Sequence, residues 1–179
     1  MHELPGLPSV PIRGDLGDGQ QGVVGLQVPR RGRTSTVELY PGARQALYRL
    51  ATDPAYRGIV LAAASTSLEP RYSDACLRAL EILPHLTLHD MLAYREIGRT
   101  GRLDSDKRTH FRLLHESSGI PYAEMLFFDD CNWGDHVGRV QQAHGVVGQR
   151  TPHGLTLAEF EQGLARYRKH AQERDAATS

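Results

Sequence analysis

An α/β fold with a mainly parallel sheet and flanking helices is what the sequence predicts, and three observations predict it. Gly58-Ile59-Val60-Leu61-Ala62-Ala63-Ala64 is apolar throughout and too short for a typical helix, the pattern of a strand buried on both faces. Met125-Leu126-Phe127-Phe128 repeats that pattern later in the chain. Around these runs, apolar residues recur at helical spacing: Ala43, Ala46, Leu47 and Leu50 in one stretch, Cys76, Ala79, Leu80 and Leu83 in another. Buried strands alternating with amphipathic helices are the mark of crossover units.

The elements follow in order. Residues 1–35 are rich in Gly and Pro and lack sustained periodicity, so they read as an irregular arm with one short strand at Val23–Val28. Pro41 and Gly42 open a helix of about three turns. The apolar run from Gly58 is the first clear strand, ending in Ser65-Thr66-Ser67. A helix around Cys76 to Leu83 is stopped by Pro84, and residues 91–97, MLAYREI, suit a short strand. Ser105 and Asp106 offer cap chemistry for a helix from Lys107 to about Ser118, with Gly119 and Pro121 marking its end. The MLFF strand runs into Asp129-Asp130, and a helix over 135–144 ends at Gly145. Thr156 with Glu159 forms a capping box for a last helix carrying Leu157, Phe160, Leu164 and Tyr167 on one face. The division is an arm over 1–35, one domain over 36–170 and a flexible tail over 171–179.

Composition narrows the function classes. With 179 residues and 40% apolar content, the chain suits a single core. Lys+Arg and Asp+Glu both number 21, so no broad cationic field invites nucleic acid. No stretch approaches the roughly 20 apolar residues of a membrane span, and the amino terminus lacks the look of a secretion signal. Cys76 and Cys131 are far apart without metal-type spacing and read as free thiols of a reducing compartment, the cytoplasm. A monomer is expected.

In a parallel sheet, function collects at the carboxyl ends of strands. Three features obey that rule: Ser65 closes the first clear strand, Lys107 begins a helix, and Asp129 with Asp130 close a later strand. Adjacent carboxylates repel unless a cation compensates, and magnesium typically takes one or two carboxylates, waters and substrate phosphate. An ammonium and a hydroxyl supply point charge and hydrogen bond to phosphate oxygens. Alone, an Asp-Asp pair is ordinary turn chemistry, a strand-end serine is a cap and a lysine is a solvated charge. Their ordered combination is what points to a phosphoryl group bridging metal and lysine.

LYPGA, AAAS, the lysine of DKRTHF and GIPYAEMLFFDD resemble the magnesium-dependent phosphatase family of the haloacid dehalogenase superfamily, over about Val37 to Tyr167. The resemblance implies a Rossmann-like fold and assigns roles. Ser65, with the neighbouring Thr66, matches the motif that holds the phosphoryl group. Lys107 matches the lysine that stabilises phosphate and an aspartyl intermediate, and Asp129 and Asp130 match the magnesium pair. It also implies a small phosphorylated substrate or phosphoprotein, such as a sugar phosphate or phosphotyrosine, and an aspartate nucleophile in an Asp-x-Asp-x-Thr motif after a first strand. That motif is not found: Asp15 and Asp18 have the wrong spacing and no threonine, and VVGLQV carries no carboxylate. Thr66 also stands where the family has arginine, and Cys131-Asn132-Trp133-Gly134 replaces its usual stretch after the acid pair.

Other readings fare worse. Cys131 has Val137 rather than arginine six positions on, against a cysteine phosphatase, and the order hydroxyl, lysine, acid pair excludes a phosphorelay receiver. His85, His89, His110, His115 and His136 form no zinc motif and read as surface or capping residues. Trp133 reads as core packing. The alternative from another class is a relative that binds phosphate or protein without catalysis. Without a first strand, neighbouring strands would expose unpaired backbone groups, each costing about 1 to 3 kcal/mol if buried, unless Val23–Val28 substitutes for it.

Overall fold

The computed structural model describes residues 10–17, 19–30 and 33–178. In chain order the elements are β1 (Val10–Gly17), β2 (Gln20–Arg30), β3 (Arg33–Glu38), α1 (Pro41–Thr52), β4 (Leu61–Ser65), α2 (Pro70–Ala79), β5 (Glu81–Leu83), β6 (Leu86–Thr87), α3 (Leu88–Met91), β7 (Leu92–Ile97), α4 (Lys107–Ser118), β8 (Leu126–Asp129), α5 (His136–His144), β9 (Val147–Arg150) and α6 (Leu157–Thr178). The result is a mixed α/β fold with parallel strand pairing and flanking helices, in two compact units.

The first unit comprises Met1–Leu39, Leu47–Leu61 and Glu69–Ala93. Here the expected irregular arm is instead an antiparallel sheet in the order β1-β2-β3. Glycine obscured it: Gly17 and Gly19, at φ 135 and 78, make the β1 to β2 connection, and bulges after Ile12 and Asp15 break the alternation that would have marked β1. Val23–Val28 is extended as expected, within the longer β2. Both edges of β2 are taken by β1 and β3, so it does not stand in for a missing first strand of the parallel sheet. Gly22 sits in close quarters, where a Cβ would crowd the Leu16 side chain and the Glu81 carboxylate. Leu26, Cys76, Leu80, Ile82 and Leu88 form the core of this unit. The Glu81 carboxylate accepts the Val23 N–H at 2.7 Å, tying β5 to β2.

Two further expectations shift in this unit. The helix around Cys76 ends at Ala79 rather than running to Pro84, because Leu80 turns extended and Glu81–Leu83 pairs with β6. The apolar run from Gly58 becomes strand only at Leu61: Ile59 and Val60 are 49% and 47% exposed, so its start is not buried on both faces.

The second unit comprises Tyr40–Ala46, Ala62–Leu68 and Tyr94–Ser179. β8 pairs parallel with β9 from Leu126↔Val147 to Asp129↔Arg150, and β4 pairs with β7. The core is Phe111, Phe127, Val137, Val140 and Val146, with Phe111 and Phe127 edge to face at 4.7 Å. α4 begins where expected, its N-cap Asp106 accepting the Arg108 N–H, and stops at left-handed Gly119, φ 69. The Thr156–Glu159 capping box forms at the start of α6. That helix continues to Thr178, so the expected flexible tail is helical as far as it is described. Gly163 lets α6 lie against β8, since a Cβ there would sit 2.5 Å from the Phe128 ring. Trp133, expected in the core, is 80% exposed, because the turn after β8 carries it out to solvent. No helix among the described residues is long and apolar enough to cross a membrane.

Candidate active site

Ser65 is the last residue of β4, Asp129 the last of β8, and Lys107 the first of α4. Asp129 is buried, its side chain 3% exposed, and its Oδ2 forms an ion pair with Lys107 Nζ. Its Oδ1 accepts the Cys131 N–H at 2.9 Å. A buried carboxylate is tolerable only with such partners. Lys107 Nζ also lies 5.2 Å from the centre of the Phe127 ring, which packs beneath the pair. Asp130, the residue after β8, is exposed. The two adjacent carboxylates therefore differ in setting: one held by an ammonium, one open to water.

Ser65 is brought to the same helix by a different route. His110, one turn after Lys107 on α4, is fully buried, and its Nε2 lies 3.0 Å from the Ser65 carbonyl oxygen and 3.1 Å from that of Gly98. Two facing acceptors require a donor, so Nε2 carries the proton. The Gly98 N–H donates to the same Ser65 carbonyl at 2.8 Å, closing the end of β4 onto the residue after β7. Arg99 Nε donates to the Thr66 carbonyl at 2.5 Å. Residues three apart on a helix share a face, so Lys107 and His110 address the ends of β8 and β4 together. The sequence-predicted Ser65, Lys107 and Asp129 thus gather around the first turn of α4, and Thr66 follows Ser65 in the chain.

Among the described residues Asp15 makes a local turn, its Oδ1 accepting the Gly17 N–H at 2.8 Å, and Asp18 lies outside the described residues. A nearer Asp-x-Asp pair, Asp104 and Asp106, escaped sequence reasoning because Thr109 falls one place beyond the motif's threonine position. Both carboxylates are committed to starting α4. Asp104 Oδ1 accepts the Asp106 N–H at 2.6 Å, and Asp106 accepts the Arg108 N–H and Nε at 3.0 and 2.9 Å. Partial burial pushes the Asp106 carboxyl up, but the Arg108 hydrogen bonds and the charges of Arg108 and Arg139 outweigh it and hold the group below its usual range.

Sequence reasoning also missed His110 and His136, placing them at the surface or in caps. Both are buried. His136 begins α5, and burial holds its imidazole below the usual value, against the pull of the Asp129 carboxylate and with the push of Lys107. It lies with Asp129 and Cys131 such that one donor atom from each falls within 4.8 Å of the others. The only available signal was the interval from Asp129 to His136, spanning a turn and a helix start, which resembles no zinc motif.

The family model described as Acid Phosphatase matches residues 27–170. The chain is 30% identical over 140 residues, 78% of its length and 68% of the relative's, to magnesium-dependent phosphatase 1 of Homo sapiens.

Proposed function

The chain belongs to the acid phosphatase family, and on that premise we propose that it is a magnesium-dependent phosphomonoester hydrolase with its phosphoryl pocket at the first turn of α4. The observation that carries the proposal is the buried Lys107–Asp129 pair, placed by the same helix turn that holds Ser65. The donor set fits magnesium: Asp129 and Asp130 offer the one or two carboxylates such an ion takes, leaving positions for waters and substrate oxygens. When bound, the ion supplies positive charge that screens the phosphoryl oxygens and orients them.

This chain's own residues do the rest. The Lys107 ammonium has three N–H donors, one used by Asp129 and the others directed to phosphoryl oxygens. Ser65 and Thr66, with their backbone carbonyls fixed by His110 and Arg99, present hydroxyls to the same group. Asp129 holds both the lysine and the ion, so its removal disables two contacts. The substrates that fit are small phosphomonoesters, sugar phosphates or phosphotyrosine, and turnover through the family's aspartyl-phosphate would require an aspartate nucleophile beyond the residues assigned above. One sequence observation favours a second reading: no Asp-x-Asp-x-Thr occurs in the 179 residues, which suits a module that grips phosphate without turnover.

Hydrolysis of an aryl phosphate by the purified chain, with and without magnesium, decides between them. Magnesium-dependent turnover that drops by about 100-fold or more in Asp129→Asn is the expected outcome. Turnover unchanged by that substitution would remove the site from consideration. A folded protein that binds inorganic phosphate in a Lys107-dependent way but releases no product would favour the binding module.

A further inference from the structure

We propose that Asp129, Cys131 and His136 form a binding site for a thiophilic divalent ion of the zinc class, overlapping the proposed magnesium position but chemically distinct from it. All three residues are buried, at 7%, 6% and 8% exposure, and one donor atom from each lies within 4.8 Å of the other two. Zinc binds sulfur, nitrogen and oxygen at about 2.0 to 2.3 Å, so ligands sharing one ion lie within about 4.6 Å of one another, and small side-chain rotations close the gap. A second observation points to a ligand: His136 Nδ1 is buried without a hydrogen-bond partner among the described residues. Buried imidazole nitrogens are ordinarily satisfied.

The local backbone makes room for this arrangement. A Cβ on Gly134 would lie 3.6 Å from His136 Cδ2 and 3.8 Å from Cys131 Sγ, so a flip of the imidazole about χ2, which exchanges Cδ2 and Nδ1, turns the unpartnered nitrogen towards the space beside the thiol. Asp129 keeps its Cys131 N–H and Lys107 contacts, and a carboxylate's two oxygens offer about four acceptor positions, leaving some for an ion. The donor set of one carboxylate oxygen, one thiolate and one imidazole is poorly suited to magnesium, which prefers oxygen, and well suited to zinc, with a fourth position open. Binding replaces the thiol proton with the metal bond, so one proton leaves Cys131 for each ion taken up.

Cobalt titration of the metal-free protein tests this, because a cobalt–thiolate bond has a near-ultraviolet charge-transfer band that oxygen and nitrogen ligands do not produce. The expected result is a band that saturates at one equivalent, is removed by competing zinc, persists in Cys76→Ser and is absent in Cys131→Ser, with affinity at least tenfold weaker in His136→Gln. No band in the wild type, or a band that survives Cys131→Ser, overturns the proposal. Should either variant fail to fold, proton release decides: one proton per zinc from the wild-type protein supports the site and none refutes it. These readouts do not use phosphatase activity, so a chain that hydrolyses nothing can still pass, and an active phosphatase can fail.

Discussion

His110 has no exposed surface, and its single Nε2–H faces two carbonyls on segments far apart in sequence, Ser65 and Gly98. Its replacement by alanine leaves the Gly98 oxygen without this donor and opens space beside Ser65. The expected cost is about 1 to 3 kcal/mol in urea unfolding, with His110→Gln, which keeps a donor, recovering part of it. Equal losses in the two variants would mean that packing, not the hydrogen bond, gives His110 its role. The neighbouring Lys107, Asp129 and Ser65 were legible in the sequence because strand ends and helix starts are marked by local pattern. His110 was not, since a histidine in DKRTHF looks the same whether it meets water or a carbonyl.

At the scale of elements, α4 organises the site, and its start depends on Asp106. Its capping bond from the Arg108 N–H is retained in Asp106→Asn, but the Arg108 Nε bond and the charge that Arg108 and Arg139 attract are lost. Because the folded carboxyl lies below its ordinary 3.8, the unfolded chain takes up the proton first as pH falls. The wild type is therefore expected to exceed Asp106→Asn in stability above that value, with the difference vanishing as pH drops through the lower folded value. Thermal melts of both proteins across an acid series check this, and a difference that grows towards low pH would reverse the sign. The β1 to β3 sheet is the element that sequence reading lost. Its glycines make the turns and close approaches a tight antiparallel sheet needs, yet they lower the strand signal in any single-sequence reading.

For the whole molecule, a ligand that binds only the folded chain raises its stability by mass action, by about 2.7 kcal/mol at one hundred times its dissociation constant. Magnesium is expected to raise the unfolding midpoint of the wild type but not of Asp129→Asn, measured by calorimetry at matched ionic strength. An equal rise in both proteins would place the ion elsewhere or make the effect one of general screening.

The α/β class, the capped starts of α4 and α6, the glycine stops and the strand ends bearing Ser65 and Asp129 were determined by the sequence alone. Each depends on residues within a few positions of one another, where propensity, capping and period act directly. Tertiary structure alone decided which groups meet across long intervals. Asp129 is buried against Lys107 while Asp130 faces water, His110 holds the end of β4, and Cys131 and His136 close on the same carboxylate. The physical reason is that burial and hydrogen-bond partners are set by the packing of whole elements, which local pattern orders along the chain but does not place in space.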